Sequence, residues 1–430
     1  MRLPIKLKGP RIFYGWWIVA ACAGVIYYGG GVFFYGFGVF FNPIREEFGW
    51  TAATAALAFS LYRLEAGIGA PFVGFLVDRF GPRALMLFGS VVVGLGFILL
   101  SRINSVLTFY ATFLVLSFGF SFSMGPVGSV AVINWFARKR GKALGVLMVG
   151  AGLTGTLAPV LAWLIHTYQW RTTLVMVGVG AWIVCLPLSM LVRHRPEKYG
   201  MLPDGDPAPT ETTQPDKENG AFEEIEGVHW LQAVTSFRAF WFLAIAGTLS
   251  GAAISSAILL LVPHLESVGV PREQAALAIT FLTLISLVGR LGLAWLADYV
   301  DKRYLLAFAF VIQAVGLVIL AYVTEFWMIF PFLIFFGPGY GGGIPLRPIL
   351  LAEYFGRRYF GTIQGLQQTV MTVGGIAGPF VAAWIFDVDG SYQKAWLLFA
   401  AVTLVAAVLI LFAPKPQVKA NAVRPNVVGM

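Results

Sequence analysis

Four residues of this 430-residue chain carry charge where charge is costly: Arg63, Glu65, Arg290 and Arg347 lie inside long apolar segments. An ionisable group in such a segment is expensive to desolvate and marks a functional site by default. A guanidinium presents a planar fork of donors that suits a carboxylate, which makes Arg290 a candidate for holding an organic anion. The alternatives are a structural acid as its partner, or snorkelling inward. Glu65 is the only carboxylate deep in an apolar segment, so it leads as a proton carrier. Arg63, two positions away, points roughly the opposite way at about 100° per residue. A structural pair of Glu65 with Arg63 or Arg347 is the competing reading, and these three form a candidate buried charge network. Arg347, six residues before Glu353, is expected to snorkel to the cytoplasm or pair with Glu65 rather than touch substrate. His264, near the outer end of its segment, suits proton exchange, an external gate or a substrate hydrogen bond, with a satisfied interfacial histidine as the alternative. No helix core pairs a nucleophile with a base, and no nucleotide-binding motif is present, so the reading is not an enzyme. Cys22 and Cys185 sit in apolar segments without metal or redox spacing. Neither a metal nor a cofactor is implied.

The elements that hold these residues follow from composition. With 58% hydrophobic and 12% charged residues, the chain lacks the polar surface of a soluble protein. A spanning helix takes about 20 apolar residues. Twelve candidates occur, at about 12–41, 51–77, 83–101, 106–135, 141–166, 171–192, 238–265, 274–297, 303–323, 327–352, 360–386 and 393–413. The first is too long for a signal core. Asp78, Arg83, Gly141, Gly145 and Pro159 recur at one offset as Asp298, Arg303, Gly361, Gly365 and Pro379. Such a repeat predicts an all-α membrane protein with twelve transmembrane helices in two six-helix bundles, able to rock about a site between them. The predicted organisation is a bundle over 1–192, a Pro-, Asp-, Glu- and Thr-rich cytoplasmic linker over 193–236, and a bundle with a cytoplasmic tail over 237–430. A short surface helix is expected near Glu223–Gln232. With both termini cytoplasmic, 22 of the 30 Lys and Arg face that side and 5 the other, an asymmetry that sets the orientation. It also accounts for the net charge of +9 without a nucleic-acid partner. The lipid bilayer is the implied partner, the plasma membrane the expected location, and no obligatory protein partner is implied.

The loop Gly74-Phe-Leu-Val-Asp78-Arg79-Phe-Gly81-Pro-Arg83 resembles the signature loop of the major facilitator superfamily. A weaker copy runs Ala294-Trp-Leu-Ala-Asp298-Tyr-Val-Asp301-Lys302-Arg303. Glycine permits close helix contact, and the Asp can meet a positive helix terminus or an Arg of a neighbouring loop. The resemblance implies the major facilitator fold and a latch that stabilises the outward-open state. Three further stretches resemble the monocarboxylate porters and their bacterial relatives, the oxalate:formate antiporters: Tyr14-Gly-Trp-Trp17 with Phe40-Phe-Asn-Pro-Ile44, Asn134 to Gly145, and Glu353 to Arg358. In those porters an Arg in helix 8 holds the substrate carboxylate, and Arg290 stands in that helix. The animal porters carry an Asp where this chain has Ser286, and a Lys where it has Tyr35. Oxalate porters add a Lys in helix 11, where this chain has Gln364, Gln367 and Gln368. One cationic clamp favours a monoanion. Superfamily cavities are lined by helices 1, 4, 7 and 10, which nominates Tyr28, Tyr35 and Tyr340, with Gly125-Pro126 shaping the wall.

The expectation is a secondary carrier for a small organic anion, a monocarboxylate, by proton symport or anion exchange. Arg290, Ser286, His264, Tyr340, Tyr28 and Tyr35 would bind substrate, and Glu65 or His264 would carry the proton. Efflux of a cationic or drug-like compound, and a ligand-binding membrane sensor, are the alternatives.

Overall fold

The computed structural model describes residues 13–35, 37–50, 52–205 and 228–416. In hydrocarbon every backbone N–H and C=O must be satisfied within the segment, so apolar runs of this length become helices. The amino-terminal half contains α1 (Tyr14–Gly30), α2 (Phe37–Phe48), α3 (Ala52–Phe80), α4 (Pro82–Leu100), α5 (Val106–Ser123), α6 (Gly125–Trp135), α7 (Arg140–Leu153) and α8 (Ala158–Leu191). The short α9 (Trp230–Ser236) precedes the carboxyl-terminal half: α10 (Arg238–Ser267), α11 (Arg272–Leu296), α12 (Lys302–Ala321), α13 (Ile329–Phe355), α14 (Phe360–Asp389) and α15 (Gln393–Leu411). Of the surface helix expected near Glu223–Gln232, the part before residue 228 lies outside the described residues, and the helix that is described begins at Trp230.

Among the described residues, the helices other than the short α9 make twelve spans, because several spans are broken. A π turn, Gly31–Tyr35, separates α1 from α2. Met124, ahead of Gly125-Pro126, separates α5 from α6, since proline is tolerated in the first turn of a helix but not in its interior ladder. A 3-10 turn, Thr154–Leu157, joins α7 to α8. Within α8 the backbone reverses at Gln169, whose φ is +64°, so that helix serves two spans. Among the described residues, ten stretches are long and apolar enough to cross a membrane by length and composition, and one of them, Arg140–Leu191, contains that reversal. The charged α3, 29 residues long, completes the twelve. Large apolar side chains face outward, Ile68 at 67% exposure and Phe380 at 73% among them, as expected where lipid is the solvent.

Two crossings join the halves: α3 lies along α14, and α7 along α11. At the first, a Cβ on Gly74 would overlap the Gly361 carbonyl, and one on Gly365 the Ala70 carbonyl. At the second, a Cβ on Gly141 would overlap the Ala294 carbonyl. Missing side chains thus let backbones touch.

Candidate functional site

Both crossings end in the same device. Asp78 Oδ1 accepts from the Gly361 N–H (3.0 Å), and its Oδ2 accepts from the Thr362 N–H and hydroxyl (both 2.7 Å). Asp298 Oδ1 accepts from the Gly141 N–H (2.7 Å) and its Oδ2 from the Lys142 N–H (3.2 Å). Each carboxylate therefore caps the first turn of a helix in the opposite half, where N–H groups lack intrahelical partners and the helix dipole favours negative charge. Of the two partners the sequence left open, the structure places the aspartates on helix termini and not on arginines. Burial pushes the Asp298 carboxyl above the usual carboxylate range, against the lowering effect of its two N–H bonds and of Lys142 and Lys302. The other loop residues do not cross: Arg79 lies over the Phe80 ring at 5.4 Å, Arg83 is exposed, and Arg303 pairs with Asp301 at 2.9 Å. Gly81 has φ +84° and packs on His194.

Above this closed end lies a cavity of about 640 Å³ between the halves. Its amino-terminal wall is largely apolar, with Ile26, Ala66, Ala70, Phe120, Pro126 and Met148 among the lining groups. Its carboxyl-terminal wall carries Arg290, Tyr340, Arg347, Gln364, Gln367 and Gln368. Arg290, 5% exposed, reaches in from α11, its guanidinium 5.8 Å from the centroid of the Tyr340 ring. It donates through Nη1 to the Met148 carbonyl (3.3 Å), and its Nε is buried without a partner. Tyr340, Ile344, Arg347 and Pro348 line the cavity at helical spacing on one face of α13.

Several expectations need correction. Arg347 neither snorkels to the cytoplasm nor pairs with Glu65: it lines the cavity and donates through Nη2 to the Ser250 hydroxyl (3.0 Å). The charge network does not assemble, because Arg63 is exposed and Glu65 accepts from the Ser121 hydroxyl (3.0 Å) on the neighbouring α5. His264, 3% exposed, is bonded to the Leu320 carbonyl (3.1 Å) and packed edge-on against Tyr392 and Trp396, inside the carboxyl-terminal half and away from the cavity lining. Ser286 is fully buried and donates to the Thr283 carbonyl; its backbone meets Gly341 where α11 crosses α13. Tyr28 donates to the Val177 carbonyl (2.8 Å) and packs on α8. The side chain of Tyr35 lies outside the described residues. The cavity thus gathers Arg290 and Tyr340 from the expected substrate residues and leaves Ser286, His264 and Tyr28 in packing.

Sequence reasoning underweighted Arg347 and the three glutamines. Gln364, Gln367 and Gln368 are spaced to share one face of a helix, and that spacing in an apolar span was the available signal. Ser121 and Ser250 gave none, since a lone serine in a membrane helix usually bonds to its own backbone. Asp204, at the start of the linker, also went unnoticed: it accepts from the backbone N–H groups of Ala137, Arg138 and Lys139 (2.8–3.2 Å), tying the linker to the loop before α7.

Comparison with known proteins agrees with this architecture. The chain is 25% identical over 421 residues to monocarboxylate transporter 12-B of Danio rerio, covering 93% of this chain and 86% of that one. It is 24% identical over 410 residues to monocarboxylate transporter 2 of Homo sapiens, at 92% and 85% coverage. Among solved structures, the fucose:proton symporter FucP of E. coli superposes with a TM-score of 0.69 at 15% identity, covering 93% of this chain and 98% of that one. The family model described as Major Facilitator Superfamily matches residues 17–299 and 243–427. That match takes in both crossings and both capping aspartates, and by it this multi-pass membrane protein belongs to the Major Facilitator Superfamily of transporters.

Proposed function

We propose that this transporter is a secondary carrier for a small organic anion, with a monocarboxylate as its minimal substrate, held through its carboxylate by Arg290. The observation that carries the reading is the cavity itself: cationic and amide groups on one wall, largely apolar groups with a few hydroxyls (Ser121, Ser129, Thr154) on the other, and no Asp or Glu among the described lining residues. A guanidinium with buried, unused donors is costly until an anion takes them. Substrate entry therefore lowers the cost of closing the cavity, which links binding to alternating access. Tyr340 would pack on the acyl part and orient the Arg290 fork. Relatives named monocarboxylate transporters over nearly the full length support a carboxylate substrate. The Lys and Arg distribution supports a cytoplasmic capped end, in which case the form described here would face outward, in the plasma membrane, with both termini inside. Proton coupling, where it operates, falls to Glu65, whose carboxylate reaches the wall through Ser121; His264, sequestered in packing, is a poor candidate.

The test is uptake of labelled lactate, pyruvate and formate into proteoliposomes, with and without an inward proton gradient. Losing a charge-assisted bidentate contact is expected to lower uptake by Arg290→Ala about 100-fold. Stimulation by the gradient indicates symport, and its absence with internal anion present indicates exchange. Equal uptake by wild type and Arg290→Ala would remove Arg290 from the site. Movement of organic cations and of no acid would overturn the reading as a whole.

A further inference from the structure

The cavity holds a second guanidinium that a monocarboxylate does not use. Arg347 lies seven residues after Tyr340 on α13, about 20° away around the helix and roughly 10 Å along it. Both side chains line the same space as Arg290. Each guanidinium carries five N–H donors. The bonds they make are to neutral acceptors, the Met148 carbonyl for Arg290 and the Ser250 hydroxyl for Arg347, and the Nε of each is buried without a partner. No ion pair reaches either one among the described residues. Glu65, the carboxylate within the neighbouring α3, is not among the described lining residues and is engaged with Ser121. Repulsion between two like charges is tolerable while the cavity admits water and becomes expensive when it closes. A monoanion cancels one charge and leaves the other to be desolvated bare, whereas an anion with two acid groups cancels both.

We infer that the favoured substrate is a dicarboxylate, one carboxylate on Arg290 beside Tyr340 and the other on Arg347. The chain between them lies along Gln364, Gln367 and Gln368, with the apolar amino-terminal wall opposite. Arg347 is thereby the specificity residue. The inference rests on the proposed role of Arg290 and reverses the sequence-based preference for a monoanion, which looked for a second cation in helix 1 or helix 11. Here it comes from α13.

The experiment is calorimetric binding to the purified full-length chain in detergent, at neutral pH and constant ionic strength, comparing succinate with butyrate and malonate with propionate. Wild type is expected to bind the better-fitting diacid at least about tenfold more tightly than its monoacid of equal carbon number. Arg347→Gln should collapse that ratio to near one, Arg347→Lys should keep part of it, and Arg290→Gln should weaken both acids. The wild-type ratio is decisive even if a variant fails to fold. If the monoacids bind as tightly as the diacids, or if Arg347→Gln weakens both kinds equally, the dicarboxylate inference falls and the Arg290 reading survives. If neither kind binds, both fall.

Discussion

The two halves close in the same way and line the cavity differently. At the capped end, Asp78 and Asp298 occupy equivalent places and cap equivalent helices, one beginning at Phe360 and the other at Arg140. Toward the middle, the same offset of 220 residues pairs Ala70 with Arg290, Val127 with Arg347 and Met148 with Gln368. Ala70 and Met148 are lining groups of the amino-terminal wall, and each cationic or amide partner belongs to the carboxyl-terminal one. Closing requires both halves to present a glycine-mediated crossing and an acceptor, so the device appears twice. The proposed binding mode uses one polar wall and one surface for the acyl part, and duplicating the cations would only add uncompensated charge. Structural symmetry here serves motion, and chemical asymmetry serves recognition.

The crossings themselves differ in which small residues meet there, and this gives the largest expected effect on closure. At α3 and α14 both helices contribute glycine, Gly74 and Gly361, whereas at α11 and α7 Ala294 stands opposite Gly141. Gly74→Val would press its side chain on a backbone carbonyl that cannot move aside, at about 3 kcal/mol against the closed form. The equivalent Ala294→Gly should cost under about 1 kcal/mol. Distances between spin labels at the exposed positions Arg83 and Tyr304 would report both; equal broadening from the two would show that the crossings do not differ.

The capping carboxylates give the next effect. Asp78 accepts three hydrogen bonds and Asp298 two. Asp78→Asn should shift the balance toward the opened end by about 2 kcal/mol, and Asp298→Asn by about 1 kcal/mol. The same labels measure the shift, and a larger response from Asp298→Asn would reverse the ranking. The smallest effect is that of pH. Burial raises the Asp298 carboxyl in the capped form, so that form holds its proton at a pH where the released form has lost it. The capped form is therefore favoured on acidification and loses that advantage as pH rises through the raised value. An Asp298→Asn protein should show less of this dependence, and an unchanged profile would assign it to another group.

Some of the site was legible without coordinates and some was not. Arg290 stood out because a charge in an apolar span is anomalous wherever its helix faces. Arg347 was visible as a charge but misassigned, since proximity to Glu353 in sequence suggested an escape to the surface that the inward face of α13 does not allow. Ser286 and Arg290 are one turn apart, yet only the longer side chain clears the α11–α13 contact and reaches the cavity. The position of His264 along the helix suits a gate, a substrate hydrogen bond or proton exchange as well as a satisfied histidine. Its rotation about the helix axis, set by packing against α12 and α15, places it in the core instead.

What the sequence determined by itself are quantities that add up locally: membrane-spanning segments from apolar run length, repeat architecture from one constant offset, and two loop aspartates at matching places in the halves. What only the tertiary structure decided is which side chains share one space. A helix turns by about 100° per residue, so facing depends on where small residues let two backbones approach. Gly289 against Pro338 and Gly341 against Ser286 fix how α11 meets α13, and with it the placing of two arginines from different helices around one cavity.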